Sequence, residues 1–185
     1  MIPTTGRQAP PTVPVPRAVA LHPGLSSRAK VAYMLALARG ADEFTGAELS
    51  DGSTDSAILM DCALAELHGA GLLRAAPPRP AAAARAPRYR LLPMPEGLTG
   101  DGAADRVIYT AGSVYDLLAD PQVTLAAKGT YCLLLTYGER AVAPAEMLGL
   151  FPEDEDGVRR LLEQLREGGW LRREGSGGAV RYRRT

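Results

Sequence analysis

The chain has 185 residues, 46% of them hydrophobic and 23% charged, enough apolar material for one medium core or two small ones and too much for a disordered chain. Its formal net charge is +0, so no global positive field draws it to nucleic acid, and any such affinity must come from local patches. Met1 to Gln8 lack an apolar core of signal-peptide length, and no run approaches the ~18 apolar residues of a membrane span; a cytoplasmic protein with no membrane partner is expected.

In chain order, Ala9 to Pro16 is proline-rich and should be extended, because proline lacks an amide hydrogen and biases its predecessor away from helix. Residues 1–15 are read as a flexible tail, with a polyproline docking peptide as the other reading. Arg17 to Leu21 reads as a short strand before the turn His22-Pro23-Gly24. Ser26 or Ser27 can cap a helix reaching about Arg39, with Gly40 as its stop and Val31, Met34, Leu35 and Ala38 as its apolar stripe. Thr45-Gly46-Ala47-Glu48 is a capping box that starts a short second helix. Ser53 or Thr54 caps a third, in which Met60, Ala63, Leu64 and Leu67 recur at helical spacing and face the core.

After Gly71, Leu72 to Arg74 and Arg88 to Leu92 read as two strands joined by the long alanine, proline and arginine tip of a hairpin. Pro93 to Asp105 is the best linker in the chain, and Val107 to Tyr109 reads as a strand closing one side or the other. The same order then returns. Val114 to Leu118 matches the leading strand, Asp120-Pro121 the turn, Thr124 to Tyr137 the first helix and Pro144 the start of the second. Glu153 to Glu167 is the third helix, and Arg172 to Arg184 a hairpin with its tip at Gly175 to Gly178.

The recurrence holds in register. His22 and Asp120 are 98 positions apart, and so are Arg74 and Arg172. Between those ends the copies align without a gap and share Lys30/Lys128, Tyr33/Tyr131, Gly40/Gly138, Ala47/Ala145, Glu48/Glu146, Leu64/Leu162, Leu67/Leu165, Gly71/Gly169, Leu73/Leu171 and Arg74/Arg172, among others. Most of these are core, cap or stop positions, so what repeats is a fold.

Ser26 to Tyr33 and Thr124 to Tyr131, the two Ala-Glu pairs, and the recurring Leu-x-x-Leu-x-x-x-Gly-apolar-Leu-Arg resemble winged helix-turn-helix domains of bacterial transcription regulators and plasmid or phage replication initiators. The resemblance covers nearly the whole chain. It implies an α+β fold of two tandem winged-helix domains, each with three helices and a β-hairpin wing, over residues 16–93 and 107–185 with a linker at 94–106. It also implies a recognition helix in the major groove and a basic wing on the backbone or in the minor groove, hence a role in transcription regulation. Winged helices serve as protein-protein modules too.

The predicted surfaces divide those roles. On the first recognition-type helix the outward face carries Asp55, Ile58, Cys62, Ala65 and Glu66 with Leu59 at its edge, no cation and no amide, which suits a protein contact better than base reading. On the second, the outward face is Glu153, Asp156, Arg160, Glu163, Gln164 and Glu167, mostly acidic; only Arg159, Arg160 and Gln164 could touch bases. The wings are basic: Arg74, Arg79, Arg85, Arg88 and Arg90 on one, Arg172, Arg173, Arg181, Arg183 and Arg184 on the other. Such hairpins can grip the DNA backbone or enter a narrow minor groove; ion pairing with nearby glutamates such as Glu174 is the plainer use.

His22 and His68 stand at no ligand spacing from Cys62 or Cys132, so no zinc site is expected and the cysteines read as buried thiols. No convergent polar constellation suggests an enzyme, and no cofactor is expected. The expected function is a non-catalytic DNA-associated regulator that contacts DNA through its wings, with a dimer mate or partner protein. The alternative is an interaction adaptor that uses the third-helix faces without touching DNA.

Overall fold

A computed structural model describes residues 12–50, 57–77, 86–92, 106–150 and 152–185. The elements are β1 (Thr12–Pro16), α1 (Arg17–Ala20), α2 (Ser27–Arg39), α3 (Gly46–Leu49), α4 (Ala57–Gly69), β2 (Leu73–Ala75), β3 (Tyr89–Leu91), β4 (Arg106–Thr110), α5 (Ala111–Ala119), α6 (Leu125–Leu135), α7 (Glu155–Glu167), β5 (Leu171–Glu174) and β6 (Arg181–Arg184). A 3-10 turn at Pro144–Met147 takes the place in the second half that α3 holds in the first. The class is α+β, with helices and small antiparallel strand pairs β1·β4, β2·β3 and β5·β6.

Both leading strands expected from the sequence are helices. Arg17 to Ala20 is α1, and Val114 to Leu118 lies inside α5, where Val114, Leu117 and Leu118 are buried at helical spacing. A short apolar run does not distinguish the two periods, and here the turn that follows lets it pack as a helix. The strands lie just upstream. Thr12–Pro16, read as tail, pairs with Arg106–Thr110 across the two halves, in the register Thr12↔Thr110, Pro14↔Ile108 and Pro16↔Arg106. Pro14 and Pro16 donate nothing to a ladder, which a two-stranded ribbon tolerates because each strand has an edge. The rest of the tail, the linker at 94–105, the helix caps at Ser53 and Thr54 and the first hairpin tip with Arg79 and Arg85 lie outside the described residues.

Within each half the repeated residues make the same bonds. Ser26 caps α2 by accepting from the Ala29 amide at 3.2 Å, and Thr124 caps α6 by accepting from Ala127 at 3.3 Å. Phe44 and Val142 form single β-bridges to Tyr89 and Tyr182, stitching the segment before the second helix to the hairpin. Met60, Ala63, Leu64 and Leu67 point inward from α4, and Val158, Leu162 and Leu165 from α7, all buried. Each large side chain fully buried in this way stabilises by about 1.5–3 kcal/mol.

The halves do not stand apart. α2 and α6 pack directly on each other. Gly129 makes the crossing close: a Cβ there would lie 1.9 Å from the Ser27 carbonyl oxygen. The cores exchange residues across this contact. Val114, Leu118, Leu125 and Cys132 belong to the cluster around Leu64 and Met60, while Leu21 packs on the cluster around Leu162. Ser27 Oγ donates to Glu153 Oε1 at 2.6 Å, and Lys30 Nζ donates to the Leu150 carbonyl, both from one half to the other.

Candidate nucleic-acid interface

The hairpins begin from the same device. Gly71 and Gly169 hold φ of 72° and 79°, a left-handed turn that ends α4 and α7 and that a residue with a Cβ adopts only under strain. The next amides close it, Leu72 onto the Leu67 carbonyl at 3.0 Å and Trp170 onto that of Leu165 at 2.9 Å. One residue later Leu73 and Leu171 turn inward and are buried, so strand alternation aims Arg74 and Arg172 outward.

The returning strands obey a different offset. Phe44 and Val142 are 98 apart, but their bridge partners Tyr89 and Tyr182 are 93 apart, because the second hairpin is five residues shorter. With that offset Arg90 corresponds to Arg183 and Arg88 to Arg181. Arg74 faces Arg90 directly across the first ribbon, and Arg172 faces Arg183 across the second. Each hairpin therefore presents a cross-strand pair of arginines on its outer face, an arrangement that is unfavourable by itself because like charges lie opposite.

Arg88 and Arg181 do a different job, again the same in both halves. Arg88 donates to the Glu43 carbonyl at 3.1 Å and lies 3.7 Å from the Glu48 carboxylate; Arg181 donates to the Ala141 carbonyl at 3.2 Å and to Glu146 at 2.9 Å. Glu48 and Glu146 also accept from the backbone of Thr45 and Ala143, at 2.7 and 3.0 Å. The Ala143 amide and then the Arg140 guanidinium hold the Glu146 carboxyl below the usual carboxylate range. These two arginines clip the hairpin to the body.

Most of the other candidate arginines also have carboxylate neighbours. Arg90 pairs with Glu43 at 3.2 Å; Arg172 and Arg183 share Glu174 at 3.3 and 3.1 Å; Arg173 stands 3.9 Å from Glu163; Arg184 bonds Glu139 at 2.6 Å and the Gly138 carbonyl at 3.0 Å. Arg74 is exposed. The pairing does not neutralise the hairpins, because one glutamate repeatedly serves two arginines: Glu43 for Arg88 and Arg90, Glu174 for Arg172 and Arg183, Glu146 for Arg140 and Arg181. A surplus of positive charge stays on the outer surface, and partly exposed pairs of this kind yield readily to a competing anion.

The helix faces offer less to a nucleic acid. Gln164 accepts at its side-chain oxygen from Thr124 Oγ1 at 2.7 Å, and Glu66 accepts from Ser26 Oγ at 2.7 Å and from the Ser26 amide. Glu66 is thus half-buried and engaged, and does not belong to an outward face. These two residues hold the equivalent contact, each spanning 40 positions back to the cap of the half's long helix. Arg159 pairs along α7 with Glu155 at 2.8 Å and Asp156 at 3.8 Å. Arg160 is exposed among Asp156, Arg159, Glu163 and Glu167, which line a shallow open depression on that helix with Gln164.

On α4, Ile58 is 73% exposed, Leu59 is half-buried, and Cys62 and Ala65 are exposed. The expectation of two buried thiols therefore fails for Cys62, whose position i+4 from Ile58 puts it on the solvent side, and holds for Cys132, whose burial pushes its thiol pKa up. Among the described residues no group of three or more His, Cys, Asp or Glu could hold a metal ion, and no helix is long and apolar enough to cross a membrane. No family model, curated protein or solved structure matches the chain.

Proposed function

We propose that this is a non-catalytic regulatory protein of two tandem winged-helix units that associates with duplex DNA through its hairpins. The observation that carries the reading is the cross-strand arginine pair, Arg74 with Arg90 and Arg172 with Arg183, facing outward in both copies. A like-charged pair costs stability where it stands, and the single glutamate beside each pair, Glu43 or Glu174, leaves one positive charge over that a phosphate backbone can take up. Arg88, Arg181 and Arg184 set the hairpins on the body, and Arg172, Arg183, Arg74 and Arg90 make the contact; Arg173 sits beside them. The acidic face of α7 stays off the phosphates.

A second reading draws on α4. Ile58, Cys62 and Ala65 are exposed where the equivalent positions of α7 carry Asp156, Arg160 and Glu163, so the fold does not require an apolar stripe there and a protein contact explains it. In this reading the chain is an adaptor. Salt separates the two. For a mixed-sequence duplex followed by fluorescence anisotropy, log affinity should fall linearly with log salt, and removing one phosphate-binding arginine should flatten the slope by about 0.9. The paired variants Arg74→Gln with Arg90→Gln and Arg172→Gln with Arg183→Gln should each flatten it. Absence of salt-sensitive binding at micromolar protein would sink the DNA reading and leave the adaptor.

A further inference from the structure

Two features relate the halves by a twofold axis and not by simple succession. First, β1 and β4 are each followed directly by a helix, α1 or α5, so Thr12 corresponds to Arg106 and Pro16 to Thr110. Under that correspondence the pair Thr12↔Thr110 maps onto Pro16↔Arg106, which is also present, and Pro14↔Ile108 maps onto itself. A ladder that is its own image is what two copies of one strand make when they pair about a dyad. Second, the same helix of each half, α2 and α6, forms the central contact. The exchange of core residues runs mainly one way: α5 contributes Val114 and Leu118 to the first cluster, whereas the half-buried Leu21 after α1 packs on the second. Tandem units joined by a chain have no need of such a ladder and helix contact, which are those of an isologous dimer with its subunits fused.

We propose that one chain, acting as its own dimer, places its two arginine-bearing hairpins on one DNA duplex as inverted half-sites. The inference rests on the DNA reading above and adds to it the symmetry and the stoichiometry. A dyad in the protein imposes a dyad on the two contacts, so the half-sites run in opposite directions on the duplex. The axis lies inside the chain, so no second chain is needed to read both. The half-sites are also unequal. The first hairpin places Arg90, opposite Arg74, beside Glu43, and the second places Arg172 and Arg183 around Glu174 with Arg173 on the same strand.

The experiment is selection of the full-length chain on a pool of random-sequence duplexes, followed by sequencing of the bound fraction and native mass spectrometry of the chain on an enriched duplex. The expected result is a motif of two related segments in inverted orientation, selected through the groove shape on which the backbone-gripping hairpins seat and bound by one chain per duplex. The double variant Arg172→Gln with Arg183→Gln, checked for folding by circular dichroism, should lose enrichment of one segment only and weaken binding to the original motif by roughly tenfold or more. Direct repeats, a single unrepeated segment, two chains per inverted motif, or retained binding with no enriched motif would each overturn the inverted-site inference while the DNA reading stood. A chain that binds no duplex at any salt would overturn both.

Discussion

Lys30 and Lys128 are the only lysines in the chain, and both are buried, with 2% and 1% of their surface exposed. Each spends its ammonium on a backbone carbonyl: Lys128 on Leu118 at 2.8 Å and Lys30 on Leu150 across the two halves. Their equivalence is plain in the sequence, but their burial is not, because a lysine at helical spacing reads as solvated until a second helix is packed over it. Burial lowers the Lys30 pKa from 10.5 to about 8, with Glu153 and then Glu66 opposing the shift. The unfolded chain therefore binds more protons than the folded one between pH 8 and 10.5, and the contribution of this group to stability rises as pH rises through that window. Below pH 8 the cost of holding the ammonium stands in full. The gain across the window is on the order of 3 kcal/mol. Denaturant unfolding at the two ends of the window should show wild type gaining on Lys30→Met with increasing pH; parallel profiles for the two proteins would rule the linkage out.

At the scale of elements, the α2·α6 crossing depends on Gly129. Its missing Cβ is replaced by the Ser27 carbonyl, 1.9 Å from where that carbon would be, and backbone on both sides of the contact leaves little room to yield. Gly129→Ala gains helix propensity of about 1 kcal/mol but must push the two helices apart, and overpacking of this kind costs about 1–3 kcal/mol or more. The variant should unfold at lower denaturant than wild type, whereas Gly69→Ala, where nothing lies within 4 Å of the added carbon, should not. A Gly129→Ala midpoint at or above wild type would mean that the two helices do not cross so closely. The gapless offset of 98 made the helix order, the caps at Ser26, Thr45 and Thr124 and the Arg74/Arg172 start of each hairpin legible in the sequence. It stopped where the copies differ in length. Because the second hairpin is shorter, the correspondence of Arg88 with Arg181 and Arg90 with Arg183 shows only once Phe44 and Val142 are seen bridging to Tyr89 and Tyr182. The Ser26–Glu66 and Thr124–Gln164 contacts were within reach, since a hydroxyl and a carboxamide or carboxylate recur at one spacing in both halves. Outward helical phase hid them, because a long side chain at the edge of a face can turn back to the helix beside it.

For the whole molecule the question is whether two sequence repeats make two folding units. Tandem domains joined by a linker unfold independently when little apolar surface crosses between them. Here the cluster around Leu64 includes Val114, Leu118, Leu125 and Cys132 from the second half, and β1 has β4 as its partner strand. Removing either half would expose apolar side chains of the other and strip a strand of its hydrogen bonds, so the two should share one transition. Trp170 is the only tryptophan and reports from the second half, where its indole nitrogen donates to Asp120 at 3.1 Å and its ring meets Tyr131 edge-on at 6.3 Å. Leu64 lies in the first half and is fully buried. Leu64→Ala should destabilise the first half's core by about 2–5 kcal/mol, and if the halves are one unit the Trp170 fluorescence transition must move with it, coincident with the loss of helix seen by circular dichroism. A Trp170 midpoint that stays at the wild-type denaturant concentration while the helical signal develops an earlier phase would separate the halves, and with them the rigid dyad on which an inverted pair of half-sites depends.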